Sequence, residues 1–113
     1  MKMIQAIIRR EKLGAVKEAL DATQCHGMMV WEILGHGKQK GTTEQLRGRE
    51  LKVDLIPKTK IEIVAYDHQV KEIVSAIVKS ASTGQIGDGK IFIFPVEDAI
   101  RIRTGEQGPV ALE

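Results

Sequence analysis

Apolar and polar positions alternate from the start of the chain: in residues 2–8, Ile4, Ala6 and Ile8 fall on one side and Met3, Gln5 and Ile7 on the other. A period of two predicts a sheet strand. Residues 11–22 change to helical spacing, with Leu13, Val16 and Leu20 on one stripe and Glu11 and Lys12 in the opening turn. Residues 28–35 predict a second strand in which Val30 and Leu34 oppose Met29, Trp31 and Ile33. Apolar residues on both faces lead us to expect cover on both sides. Residues 60–66 predict a third strand, Ile61, Ile63 and Ala65 facing away from Glu62, Val64 and Tyr66. Asp67 is the expected N-cap of a helix whose Val70, Ile73, Val74, Ile77, Val78 and Ala81 recur at three and four residues until Thr83 and Gly84 stop it. Residues 90–94 predict a short strand ended by Pro95, and residues 100–103 a last extended piece.

Between Gly35 and Pro57 the periodicity vanishes. Seven basic residues between positions 37 and 60 (Lys38, Lys40, Arg47, Arg49, Lys52, Lys58 and Lys60) face three acids (Glu44, Glu50 and Asp54), while the whole chain carries only +2. A structureless connection longer than about 12 to 15 residues is uncommon in a compact domain unless it is functional, so this segment is expected to act.

The order strand, helix, strand, long loop, strand, helix, strand predicts an α+β fold of the ferredoxin-like βαββαβ type, one domain spanning residues 1–113. Both helices cover one face of such a sheet. The other face, here also apolar, would be buried by forming a homo-oligomer.

Composition narrows the function. Aromatic content of 4% and a net charge of +2 argue against single-stranded nucleic-acid binding by stacking and against DNA. The single cysteine, Cys25, excludes an internal disulfide, and Cys25, His26, His36 and His68 do not assemble a zinc spacing. The start of the chain reads as a strand rather than a leader, and no apolar run reaches the roughly 18 residues needed to span a bilayer. A reducing cytoplasm is the expected setting.

The chemistry concentrates in residues 83–108. Gly84, Gly87 and Gly89 lie within six residues and permit positive φ, so that successive N–H groups can line a concavity for an anion. Lys90 follows with a mobile charge, and Arg101 and Arg103, two apart on the expected strand, would project planar donor forks from one face. A polyphosphate suits that set.

The block Thr-Gly-Gln-Ile-Gly-Asp-Gly-Lys-Ile-Phe, followed by Arg-Ile-Arg-Thr-Gly-Glu, resembles the carboxy-terminal signature of the PII family of nitrogen-signalling proteins, and the likeness runs from Met1 to about Gly108. The resemblance implies a homotrimeric, non-catalytic sensor of ATP and ADP. Thr83, Gly87, Asp88, Gly89 and Lys90 would form the phosphate turn (83–90), Arg101 and Arg103 of the C-terminal loop (100–113) would reach in from a neighbour, and Gly35, Gly37, Lys38, Glu62 and Val64 match other nucleotide-pocket positions. Residues 36–57 match the family's T-loop. With magnesium and ATP in place, 2-oxoglutarate would chelate the metal alongside Gln39, contact Gln39, Lys40 and Gly41, and pair its distal carboxylate with Lys58. Arg47 would meet a protein target: an ammonium transporter, glutamine synthetase or nitrogenase. The membrane would be reached only through such a channel, and nucleic acid not at all.

Three positions depart from the family pattern. Lys38 replaces an arginine, turning a bidentate fork into a point charge. Met29 replaces a threonine near the adenine. The loop reads Leu46-Arg47-Gly48-Arg49-Glu50-Leu51, with no tyrosine to be uridylylated. Tyr66, placed in a strand, is no substitute, leaving Thr42 and Thr43 as the hydroxyls there. A nitrogenase regulator of the NifI type is the alternative within the family. An acylphosphatase-like enzyme lacks its arginine–asparagine pair, because the chain has no Asn.

Overall fold

The computed structural model describes residues 1–25, 27–36 and 55–113 in full, and 43–46 and 49–52 by their backbone. Strand β1 (Lys2–Ile8) leads through a 3-10 turn (Arg10–Lys12) into helix α1 (Leu13–Asp21); β2 (Met29–His36), β3 (Thr43–Leu46), β4 (Arg49–Lys52) and β5 (Leu55–Ala65) follow. A second 3-10 turn (Asp67–Gln69), helix α2 (Val70–Ala81), strand β6 (Gly89–Pro95) and a 3-10 turn (Pro109–Leu112) complete the described chain. The main sheet runs β2-β5-β1-β6 and every neighbouring pair is antiparallel. This is the ferredoxin-like α+β arrangement that the element order predicts.

The core is aliphatic. Ile4, Ala6 and Ile8 of β1 and Ile61, Ile63 and Ala65 of β5 face Val16 and Leu20 of α1 and Ile73, Ile77 and Ala81 of α2, all at 5% exposure or less. Alternation in the strands and three-and-four spacing in the helices place these eleven side chains in one cluster.

The opposite face carries the other register. Phe94, Met3 and Val64 form one row across β6, β1 and β5; Phe92, Gln5, Glu62 and Met29 form the next; Lys90, Ile7, Lys60 and Trp31 a third. Gln5 Nε2 donates to Glu62 Oε2 at 2.8 Å, and Lys60 Nζ lies 4.5 Å from the Trp31 ring centre. Met29, Trp31, Phe92 and Phe94 remain at least 40% exposed. Among the described residues the cover expected on both sides of β2 is therefore absent: β2 is an edge strand, and its helix-side Val30 and Leu34 are exposed as well.

Other expectations need correction. Strand β5 begins at Leu55 rather than residue 60, so β2 and β5 form a two-stranded arm in which Leu34 pairs with Pro57 and His36 with Leu55. Pro57 is tolerated because β1 ends at Ile8, opposite Thr59, and no neighbour on that side asks for its missing N–H. Within the segment read as aperiodic, β3 and β4 pair as a hairpin from Thr43↔Lys52 to Leu46↔Arg49. Tyr66 follows β5 instead of lying within it. Asp67 opens a 3-10 turn and binds the Met1 amino group at 2.9 Å; the N-terminal backbone of that turn is held instead by Gln69 Oε1, which accepts from Tyr66 N–H at 3.2 Å.

Candidate functional site, divided between the ends of the sheet

The glycine turn stands where β1 and β6 end together, with Ile8 opposite Gly89. Gly84, Gly87 and Gly89 all take positive φ, at 81°, 105° and 102°, as their spacing predicts. Gly89 has no alternative: a Cβ there would lie 1.7 Å from the Ile7 carbonyl oxygen. Backbone proximity between paired strands, rather than flexibility, demands this glycine.

The concavity does hold an anion, and the chain supplies it. Asp88 accepts from Thr83 N–H at 2.8 Å, from Gly84 N–H at 2.9 Å and from the Thr83 hydroxyl. Arg9 Nε donates to the same carboxylate at 3.0 Å, and Arg9 Nη2 donates to the Ile86 carbonyl at 2.9 Å. These bonds, led by the Thr83 hydroxyl, hold the Asp88 carboxyl far below the usual carboxylate range. Asp88 and Thr83 thus organise the turn from inside, and the amides of Thr83 and Gly84 are spent on Asp88 instead of facing a ligand.

Lys58 Nζ reaches across from β5 and donates to the Gly87 carbonyl. Burial and then the neighbouring Arg9 charge lower its pKa. Gly35 lies beside its stem, where a Cβ would meet Lys58 Cγ at 3.4 Å. Arg9 is the residue that the sequence reading missed. No local pattern marks it: only the pairing of β1 with β6 through Ile8 and Gly89 sets the next residue, Arg9, against Asp88.

Glu62 and Val64 lie on the open face of β5, and Lys90 on the same face of β6. Gly37, Lys38, Gln39, Lys40, Gly41, Thr42 and Arg47, together with His26, lie outside the described residues.

The second cluster departs from expectation. Residues 101–104 form a turn, not a strand, closed by a bridge between Ile100 and Gln107 and by Gly105 N–H donating to the Arg101 carbonyl at 2.7 Å. Arg101 and Arg103 therefore do not share a strand face. Arg101 folds inward: its Nη1 meets Glu106 Oε1, and its Nη2 donates to the carbonyls of Val110 at 2.7 Å and Glu113 at 2.9 Å. Arg103 is exposed and makes no hydrogen bond or ion pair among the described residues.

This cluster belongs to the far end of the sheet. Glu113 lines a cavity of about 210 Å³ with Val64, Ala65, Tyr66, Gln69 and Leu112, beyond the end where Lys2 pairs with Ala65 and Pro95. The seven residues of β1, at about 3.4 Å each, separate the two ends by about 20 Å. Each half also presents an isoleucine to solvent, Ile86 at 72% and Ile102 at 99% exposure.

Among the described residues no helix is long and apolar enough to cross a membrane. Fold and clusters together define a ferredoxin-like domain with an exposed apolar sheet face and two basic clusters, one at each end. A family model for Nitrogen regulatory protein P-II matches residues 1–106. Nitrogen regulatory protein P-II 2 of Methanothermobacter thermautotrophicus is 60% identical over 112 residues, covering 99% of this chain and 97% of that protein. Nitrogen regulatory protein P-II of Cereibacter sphaeroides is 55% identical and that of Nostoc punctiforme 53%, each over 99% of this chain and the full length of the relative. The chain belongs to the P-II family of nitrogen regulatory proteins.

Proposed function

We propose that this protein is a non-catalytic sensor that binds ATP or ADP between protomers of a homotrimer and, with magnesium and ATP in place, 2-oxoglutarate. The observation that carries this reading is the distance between the half-sites. Arg101 and Arg103 sit about a sheet's length from their own Gly87 turn, so a single polyphosphate can meet both clusters only if the arginines come from a neighbouring copy. The uncovered face supports such a neighbour: Met29, Trp31, Phe92 and Phe94 are too large an apolar set to leave in water. Ile86 and Ile102 supply further apolar surface beside each half-site.

The turn fits a phosphate chain in its charge. Lys58 and Lys90 flank it, while the ionised Asp88 is offset by its ion pair with Arg9. A magnesium ion would be carried by phosphate oxygens and completed by Gln39 and the 2-oxo acid. Lys58, now tied to the Gly87 carbonyl, would exchange that acceptor for the distal carboxylate of 2-oxoglutarate, and binding of the two ligands is thereby coupled.

The output is the segment between β2 and β5. Magnesium and 2-oxoglutarate would fix its base at Gln39, Lys40 and Gly41, and their loss would release Arg47 toward a target of nitrogen metabolism, an ammonium transporter, glutamine synthetase or nitrogenase. With Tyr66 the only tyrosine in the chain and placed after β5, uridylylation of this segment is not part of the mechanism.

Subunit mixing tests the reading. Lys90→Ala and Arg103→Ala variants should each lose most ATP affinity in calorimetry, and co-assembly of the two should restore a fraction of intact sites. Loss in each variant without restoration would overturn the shared site. Lys58→Ala should keep ATP binding and lose the response to 2-oxoglutarate.

A further inference from the structure

The state of Arg101 carries an inference of its own. A guanidinium grips an oxyanion in bidentate fashion along one of two edges, Nε with Nη2 or Nη1 with Nη2. Nη2 is common to both. Here its two N–H groups are occupied by the Val110 and Glu113 carbonyls, and Nη1 meets Glu106. Neither edge can close on a phosphate while residues 109–113 stay in place.

The segment is built to be held and to be lifted. Pro109 opens its 3-10 turn, and Leu112 and Glu113 close over Tyr66 and Gln69 at the far end. Gly108 is placed where a hinge would have to be: its φ is +82°, a Cβ would meet nothing within 4 Å, and its N–H is anchored to the Ala99 carbonyl at 2.9 Å and Asp98 Oδ1 at 3.0 Å. Residues beyond it can swing while the Ile100–Gln107 bridge behind it persists.

We propose that residues 109–113 form an intramolecular strap that competes with the phosphate oxyanion for Arg101, so that nucleotide entry requires the strap to lift at Gly108. The inference rests on the reading of Arg101 as a phosphate ligand. The strap sets a threshold: it lowers apparent nucleotide affinity in the resting protomer and couples occupancy of the site to release of the chain from the Tyr66 cavity.

The test is ATP calorimetry on the full-length protein, a chain ending at Gly108, and a full-length Pro109→Gly variant, each with and without Arg101→Ala. Removing the strap should tighten ATP about ten-fold, the size of one charge-assisted hydrogen bond no longer lost on entry. Pro109→Gly, which loosens the strap without shortening the chain, should tighten it less, and Arg101→Ala should erase both gains. Amide exchange at Ala111 and Glu113, whose N–H groups donate to the Gly108 and Val110 carbonyls, should quicken when the full-length protein is saturated with ATP. Equal affinity with and without the strap, while Arg101→Ala weakens both, would overturn the strap and leave the nucleotide reading standing. Arg101→Ala without effect in any background would overturn the role of Arg101 and the strap with it. Should the shortened chain not fold, Pro109→Gly decides by the same criteria.

Discussion

Two glycine-bearing turns of this chain each wrap a charged side chain, and they do so by opposite means. The 83–89 turn closes on a carboxylate, Asp88, and is wedged between paired strands so that Gly89 has no room for any side chain. The 98–113 segment closes on a guanidinium, Arg101, and its Gly105 and Gly108 face open space. One turn is fixed by backbone contact and already closed around its internal anion. The other is fixed by three polar contacts to one side chain, which the proposed strap would give up on nucleotide entry. Backbone contact in the first and side-chain hydrogen bonds in the second are what would suit the two halves of the shared site proposed above.

The largest expected effect separates the two turns at their glycines. Gly89→Ala should cost more than about 3 kcal/mol, because β1 and β6 must part to admit the methyl group, whereas Gly105→Ala, at φ +73° with nothing within 4 Å, should cost about 1 kcal/mol of left-handed strain. Denaturant midpoints measure both. Equal costs would mean that the strand contact at Gly89 relaxes readily.

The arginines sharpen the second half. Arg101→Ala should destabilise by about 1 kcal/mol, since the Val110 and Glu113 oxygens that lose their charged donor lie at the surface where water can replace it, and Arg103→Ala by less than about 0.5 kcal/mol, although both are expected to weaken ATP under the proposed function. A similar loss of stability in the two would contradict the inward fold of Arg101.

Asp88 supplies the pH dependence. Its folded pKa is depressed below the unfolded value of about 3.9, so its contribution to stability is fully present above that value and is lost as pH falls through the lower folded one. The melting temperature should fall between about pH 5 and pH 2, and Asp88→Asn should flatten part of that fall. An unchanged acid profile in Asp88→Asn would show that the turn does not depend on the ionised carboxylate. A smaller effect than at Asp88 is expected at Arg9→Lys, which keeps the charge near Asp88 but loses the second bond to the Ile86 carbonyl. A drop of a few degrees in melting temperature, smaller than that of Arg9→Ala, would match the guanidinium geometry.

How far the sequence could be read followed the range of the interaction. Helix α2 and strand β1 have the extents that periodicity predicts, and the glycines of 84–89 have the expected φ, because those features depend on neighbours a few residues apart. Strand β5 starts earlier than its alternation suggests, since Leu55 and Pro57 are held by β2 alone and need not present a buried face. The strand proposed for 100–103 fails because Arg101 draws the carbonyls of Val110 and Glu113 toward itself, contacts nine and twelve residues away that no period of two contains. The role of Arg9 was hidden for the same reason: Asp88 is 79 residues distant, and only the β1–β6 register brings the pair together.

The amino-acid sequence by itself determined the order of elements, the aliphatic cluster between helices and sheet, and the presence of a glycine-rich turn beside basic residues, because each follows from local spacing and the burial of apolar side chains. Tertiary structure alone decided that Asp88 fills the turn from within, that Arg101 is tied to residues 109–113, and that the two basic clusters stand at opposite ends of the sheet. Those outcomes depend on strand register and on which hydrogen-bond donors are consumed inside the chain, and neither is written in the pattern of any single segment.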